Sequence, residues 1–286
     1  MPFAGLRVLS LESRRASEME VLIRRQEGDV FVAPSVKERA LEDHSDAFRL
    51  LDLIEQNAYE MLILMTGVGL TFWRDVIASR HPLSRADDAL RSLTLLARGP
   101  KPSTVLRNVG LTPDITIPEP NTWREIIQAV KIRPERRLAV QEYGRSNPDF
   151  IGALQDLGAE VDCFAIYRWD LPEDIRPLRE ASERLRTGQV DVILFTSSVQ
   201  LEHLVEVARR DGVEEEMLDV LRSRVVIGSI GPIMTETLHH YDLRPDITPV
   251  SPKMGALVKA AADQATEILP LKTLRVGRDT RGWHAD

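Results

Sequence analysis

Four short segments join residue types that could hold a ligand. Thr66-Gly67-Val68-Gly69 and Thr196-Ser197-Ser198 combine hydroxyls with small residues, while Arg98-Gly99-Pro100-Lys101 and Ile230-Gly231-Pro232 place glycine before proline. Each follows an apolar run and precedes an amphipathic one. Each is therefore predicted to be a strand end opening onto a helix N-terminus, the place where open parallel sheets bind ligands. Free backbone N–H groups at such a start suit a carboxylate or a phosphate. The same residues also cap helices with no ligand present, so a single turn leaves both uses open. Arg14 and Arg15 follow the first apolar run, Arg145 occupies the matching place later, and Arg98 and Lys101 lie in one of the turns. Guanidinium groups bind carboxylates in a bidentate fork, and each of these charges would otherwise be solvated surface. Tyr143 and Tyr167 are two of four tyrosines. Tyr167 follows the apolar Cys163–Ile166 and could sit at a domain junction, as a polar handle or as packing with a satisfied hydroxyl.

Other chemistry is excluded by what the sequence lacks. There is no G-x-G-x-x-G, no Walker pattern and no G-x-S-x-G elbow. The six histidines, at 44, 81, 203, 239, 240 and 284, show no ligand spacing, and the single cysteine, Cys163, excludes a disulfide framework and a multi-cysteine metal site. Cys163 lies in an apolar stretch and reads as a buried, inert thiol. A net charge of −7 argues against a nucleic-acid partner, and an acidic ligand would need a local basic cleft. No apolar run approaches the ~20 residues of a membrane span, and the N-terminus lacks the order of a secretory signal. Cytoplasm is the expected location and a monomer the expected state.

The elements that would position these residues alternate. Strands are expected at Leu6–Leu11, Val30–Ala33, Glu60–Met65, Leu93–Ala97, Asp114–Ile117, Arg137–Gln141, Glu160–Phe164, Asp191–Phe195, Arg224–Gly228 and Ile247–Val250. Helices fall between most of them, among them Leu70–Ser79, Thr122–Lys131, Ser146–Leu157, Val199–Arg210 and Lys253–Leu269. In the last, Leu257, Val258, Ala261, Ala262 and Ala265 recur at helical spacing. Alternation of strand and helix implies parallel sheets covered on both faces, here two doubly wound α/β domains of five strands each.

The two domains look like copies of one unit. At an offset of 132 residues Gly99-Pro100 meets Gly231-Pro232, Leu106 meets Leu238, Pro113-Asp114-Ile115-Thr116 meets Pro245-Asp246-Ile247-Thr248, and Pro120 meets Pro252. Upstream, with small gaps, Thr66 falls opposite Thr196, and the segment opening at Leu6 parallels that opening at Arg137. If the opening strand–helix–strand of each repeat is exchanged, one domain combines 1–34 with 173–270 and the other spans 46–165. The linkers are then 35–45 and 165–172, running as a two-strand hinge, and 271–286 is a polar tail.

In order, spacing and duplication the chain resembles the uroporphyrinogen-III synthase family. The likeness runs from about Leu6 to Ile268 and rests on the 66–69 turn with its preceding strand, Leu95–Lys101, Phe195–Leu204, Phe164–Trp169 and Ser229–Ala260. It implies two α/β domains joined by two linker strands, an active site in the cleft, and no cofactor or metal. The substrate it implies is hydroxymethylbilane, a linear tetrapyrrole with eight carboxylates. This is closed to uroporphyrinogen III with loss of water and inversion of the terminal pyrrole. Tyr167 matches the family's important tyrosine, a general acid toward the departing hydroxyl, and Thr66 and Thr196 match its strand-end hydroxyls. Family members often carry Thr where this chain has Met234, with Thr235 one residue on; the first repeat moves its hydroxyls to Ser103 and Thr104. A catalytically silent tetrapyrrole-binding or regulatory module is the alternative that the resemblance leaves. A two-lobed solute binder fits less well, for want of an export signal.

Overall fold

In the computed structural model, residues 2–142, 144 and 146–279 are described. The elements run β1 (Arg7–Ser10), α1 (Ala16–Arg25), β2 (Asp29–Val32), β3 (Lys37–Ala40), α2 (Ser45–Glu55), β4 (Met61–Leu64), α3 (Gly67–Ala78), α4 (Leu83–Arg91) and β5 (Thr94–Ala97). Then come α5 (Pro100–Asn108), β6 (Ile115–Thr116), α6 (Trp123–Lys131), β7 (Arg137–Gln141), α7 (Pro148–Asp156), β8 (Glu160–Phe164) and β9 (Tyr167–Asp170). The chain continues through α8 (Arg176–Arg186), β10 (Val192–Phe195), α9 (Ser198–Arg210), α10 (Glu214–Ser223), β11 (Val226–Ser229), α11 (Pro232–His240) and α12 (Met254–Asp279). It divides into two compact units, Met1–Lys37 with Leu171–Asp286, and Glu38–Asp170.

The second unit is built on a five-stranded sheet of order β6-β5-β4-β7-β8, parallel throughout. Its central strand reads Met-Leu-Ile-Leu and is buried at every residue, as expected of a parallel strand covered on both faces. Leu62 and Leu64 enter one core with Trp73, Leu90 and Phe164, while Met61 and Ile63 enter the other with Ile126, Val130 and Phe150. That split follows from the two-residue period of a strand.

The first unit is parallel too, in the order β11-β10-β1-β2. Its fifth strand, expected at Ile247–Val250, shrinks to one bridge between Ile247 and Gly228. The sequence supplies the reason. In the second unit Ile117 N donates to Ala97 O at 3.0 Å and prolongs the ladder. The corresponding residue here is Pro249, which has no N–H to donate. Otherwise the two orders correspond element for element, with β10 and β1 in the places of β4 and β7. The first strand–helix–strand of the chain thus completes the sheet begun by the last third. Along α12, Leu257, Val258, Ala261, Ala262 and Ala265 are all buried. Gly228 on β11 makes room for this helix, since a Cβ there would lie 2.7 Å from Leu194 and 3.2 Å from Leu257.

A carboxylate pins the same corner of each sheet at its amino-terminal edge. Before β4, Glu60 accepts the main-chain N–H groups of Arg136 (2.8 Å) and Arg137 (3.1 Å). Before β10, Asp191 accepts Arg7 N at 2.8 Å and Arg7 Nη2 at 2.6 Å. Of the expected linkers, Lys37–Ala40 and Tyr167–Asp170 are strands that pair as a separate two-stranded sheet, β3-β9. The approach to β3 is anchored within the first unit. Ser35, fully buried, donates its hydroxyl to Leu11 O (2.8 Å), and its carbonyl bonds His203 Nδ1 (2.7 Å).

Candidate active site

The carboxyl ends of β4 and β7, with the start of β9, gather the candidate residues of the second unit. Thr66 is the N-cap of α3: its backbone is extended, and its hydroxyl accepts Gly69 N at 3.0 Å. The same hydroxyl lies 3.1 Å from Tyr167 Oη. Gln141, the last residue of β7 and 1% exposed, accepts Thr66 N at 3.3 Å and donates its amide to Glu142 O. Tyr167 is 2% exposed; Phe72 lies against it at 5.9 Å between ring centres, and Trp169 meets it edge-on at 6.4 Å. Either of the two hydroxyls can donate in this bond, since each is both donor and acceptor.

The turns differ from the free N–H cradles expected of them. Helix α3 begins at Gly67, not Leu70, so the 66–69 segment is cap and first helical turn. Its glycines serve close packing: a Cβ on Gly67 would lie 2.9 Å from Lys101 O, and one on Gly69 would lie 2.0 Å from Gln141 Nε2. Val68 between them is partly exposed. In the first unit, Thr196 N (2.8 Å) and Ser197 N (3.3 Å) both donate to Gln200 Oε1. Ser197 and Gln200 form a capping box at the start of α9, and Ser198 is buried. These amides therefore have partners inside the chain.

The glycine–proline turns open α5 and α11. Gly99 needs to be glycine: φ is +104°, and a Cβ would meet Asn121 Oδ1 at 2.3 Å. Gly231 is extended, with only Pro252 at an ordinary 3.6 Å. Arg98 is half-buried and Lys101 exposed, as is Pro232. Met234, in the place of the family's threonine, faces the core at 2% exposure. The hydroxyls one residue on take equivalent places: Ser103 bonds Gly99 O (2.8 Å), and Thr235 bonds Ser229 Oγ (2.9 Å).

Among the basic candidates, Arg14 and Arg15 are exposed after β1, and Arg15 Nε pairs with Glu18 at 2.7 Å. Tyr143 and Arg145 lie outside the described residues. Gly144, between them, has φ +79° and rests on the Trp169 indole, which a Cβ would approach to 2.8 Å. Cys163 on β8 is half-buried, and its thiol is pushed up to about 12 by burial, then by the nearby charges of Glu142 and Asp162. Such a shift keeps the group a thiol near neutral pH.

Sequence reasoning missed three polar residues. Gln141 and Gln200 were hidden because amides carry no charge signal, although Ser197-x-x-Gln200 is a readable capping box. Glu12 carries the opposite charge to the basic pattern that suits a carboxylate ligand. Its Oε2 accepts Thr196 Oγ1 at 2.5 Å.

Two parallel α/β units, with hydroxyls and glycine–proline turns at the carboxyl edges of their sheets, define a class of duplicated α/β proteins. The family model described as Uroporphyrinogen-III synthase HemD matches residues 17–259, and the chain belongs to that family. A Bacillus subtilis protein, "Uncharacterized protein YjjA", is 25% identical over 256 residues, covering 89% of this chain and 94% of its own length. A Methanothermobacter thermautotrophicus protein named "Putative uroporphyrinogen-III synthase" is 27% identical over 248 residues, covering 84% and 89%. A mutant uroporphyrinogen III synthase of the bacterium Thermus thermophilus shares the fold, with a TM-score of 0.68 at 21% identity, over 92% of this chain and all of that one.

Proposed function

We propose that this chain converts hydroxymethylbilane to uroporphyrinogen III, releasing water and inverting the terminal pyrrole. The observation that carries the reading is the Thr66–Tyr167 hydrogen bond at the carboxyl end of the central strand β4. Loss of the terminal hydroxyl needs a proton delivered to oxygen. Tyr167 is the donor, and Thr66, fixed by its own capping bond, aims the phenol. Because Tyr167 is so fully buried, binding must move the chain that covers it, a gating step of the kind common in enzymes that handle flexible substrates.

The remaining work is conformational. The open tetrapyrrole is electron-rich and closes unaided to the uninverted isomer, so the protein must hold one arrangement of the chain ends. Arg14, Arg15, Arg98, Lys101 and Arg145 supply cations for the carboxylates, a local exception to a net charge of −7. The Ser197 hydroxyl and the main chain at 67–68 and 231–232 complete the contacts, and Tyr143 is assigned to the same substrate. The enzyme acts as a cytoplasmic monomer on a small-molecule substrate. The test is to supply freshly prepared hydroxymethylbilane and separate the porphyrin isomers after oxidation. Isomer III formed faster than spontaneous closure supports the reading; isomer I alone at the spontaneous rate removes it.

A further inference from the structure

Gln141 closes β7, and its side chain is buried at the end of a strand whose preceding residues, Leu138, Ala139 and Val140, are buried and apolar. A buried amide is costly unless both of its ends are bonded. Here both are: Oε1 accepts Thr66 N at 3.3 Å, and Nε2 donates to Glu142 O. One partner is a main-chain N–H and the other a carbonyl, which fixes the orientation of the amide. Room for it comes from Gly69 in the first turn of α3, where a Cβ would lie 2.0 Å from Nε2 and 2.6 Å from Oε1. Glycine is unfavourable in a helix, so the second unit gives up helix propensity to seat Gln141.

The first unit meets the same need differently. Ser10 stands in the place of Gln141: it pairs with Leu194 as Gln141 pairs with Leu64. Val199 stands where the other unit has Gly69. The acceptor for the Thr196 N–H is instead Gln200 on α9, at 2.8 Å. That glutamine also turns its Nε2 on the Thr196 hydroxyl at 2.8 Å, and the hydroxyl donates to Glu12 Oε2 at 2.5 Å. Gln141, on the strand, directs its Nε2 to Glu142 O rather than to its threonine. The Thr66 hydroxyl takes the Gly69 N–H at 3.0 Å and faces Tyr167 Oη at 3.1 Å. Placing the glutamine on the strand instead of the helix is what turns this threonine toward a phenol.

We propose that Gln141 is a positioning residue for Tyr167: it holds the Thr66 main chain, and through it the Thr66 hydroxyl, against the phenol oxygen; the inference rests on the synthase reading above. Gln141 Oε1, the Thr66 N–H, Thr66 Oγ1 and Tyr167 Oη form one connected path inside the second unit. A reacting group misplaced by roughly 1 Å can lose about 100-fold in rate. Without the amide the Thr66 N–H loses its acceptor, the β4–α3 turn relaxes, and the hydroxyl moves off the phenol. Gln141 itself neither gives nor takes a proton.

The test uses the full chain with Gln141→Met, which fills a similar volume without the amide, and Gly69→Ala, whose methyl group displaces the amide and leaves its chemistry intact. With kcat read as the rate of isomer III formation, both should lower it about tenfold, with KM within about twofold of wild type. Coupling separates positioning from a structural role. In a Tyr167→Phe background no phenol oxygen is left to position, and Gln141→Met should lower kcat by less than about twofold; a merely structural role would cost about tenfold in both backgrounds. Wild-type kcat in Gln141→Met or in Tyr167→Phe, or the full tenfold loss on top of Tyr167→Phe, overturns the inference, and isomer III formed by wild type leaves the synthase reading standing. If Gln141→Met does not fold, Gly69→Ala and its combination with Tyr167→Phe decide by the same criteria. A wild-type protein that forms only isomer I removes both.

Discussion

The hydroxyls of Thr66 and Tyr167 lie 3.1 Å apart, although 101 residues separate them in the chain. The contact joins the central strand of the second unit to the strand β9 that follows β8. It has a defined geometry, because Thr66 is fixed by the Gly69 N–H and the β4–α3 backbone.

Removing the Tyr167 hydroxyl should therefore cost activity and spare the fold. Tyr167→Phe keeps the ring that packs on Phe72 and Trp169. Its kcat should fall about 100-fold or more, the usual scale for a general acid, with the melting temperature within a few degrees of wild type. Thr66→Val should lose less, since the phenol remains. Wild-type turnover in Tyr167→Phe would take this residue out of the mechanism.

The two glycine–proline turns should respond oppositely to the same change. Gly99 has φ +104° and ψ −164°, a region closed to other residues, with Asn121 in the way of a Cβ. Gly99→Ala should destabilise by about 1–3 kcal/mol. Gly231→Ala should change stability by less than about 0.5 kcal/mol, because its backbone is extended and its surroundings open. Urea unfolding of the two variants compares them directly, and equal midpoints would contradict the asymmetry.

Acid should weaken the amino-terminal corners of both sheets. The main-chain N–H groups of Arg136 and Arg137, then the Arg137 guanidinium, lower Glu60 to about 2. At Asp191 burial pushes the carboxyl up, but the hydrogen bonds from Arg7 outweigh it and the net direction is down. Both groups are below their unfolded values of roughly 4. Their stabilisation is present above that pH and is lost as pH falls through the folded values. The urea midpoint should drop between pH 5 and pH 2, and Glu60→Gln and Asp191→Asn should each flatten part of the drop. An unchanged slope in both variants would refute the pinning role.

Cys163 should be slow to alkylate in the native protein. With its thiol pushed up to about 12, the thiolate fraction at pH 8 is roughly 1000-fold below that of an ordinary cysteine. Iodoacetamide should label it far faster in urea than in buffer. The stabilising contribution is complete below the unfolded value near pH 8.5 and fades as pH rises toward 12. Equal labelling rates in urea and in buffer would contradict the burial.

Much of this arrangement was legible because buried parallel strands leave continuous apolar runs. Met61–Leu64 and Val192–Phe195 announced themselves in this way, as did the helical stripe from Leu257 to Ala265. The start of α3 is not legible in the sequence, because Gly67 and Gly69 are poor helix formers. They are placed there by the approach of Lys101 and Gln141, contacts that exist only in the folded unit. The loss of the first unit's fifth strand was written in one residue, Pro249, within an otherwise matching repeat. Glu12 was invisible for a different reason: its hydrogen-bond partners, Thr196 and Gln200, are 184 and 188 residues away.

The synthase reading stands on the identity of the product. Freshly prepared hydroxymethylbilane, incubated with the full chain and oxidised after short intervals, should yield isomer III as the dominant porphyrin at a rate proportional to protein concentration. Isomer I alone, at the rate seen without protein, would contradict the account and leave a tetrapyrrole-binding module in its place.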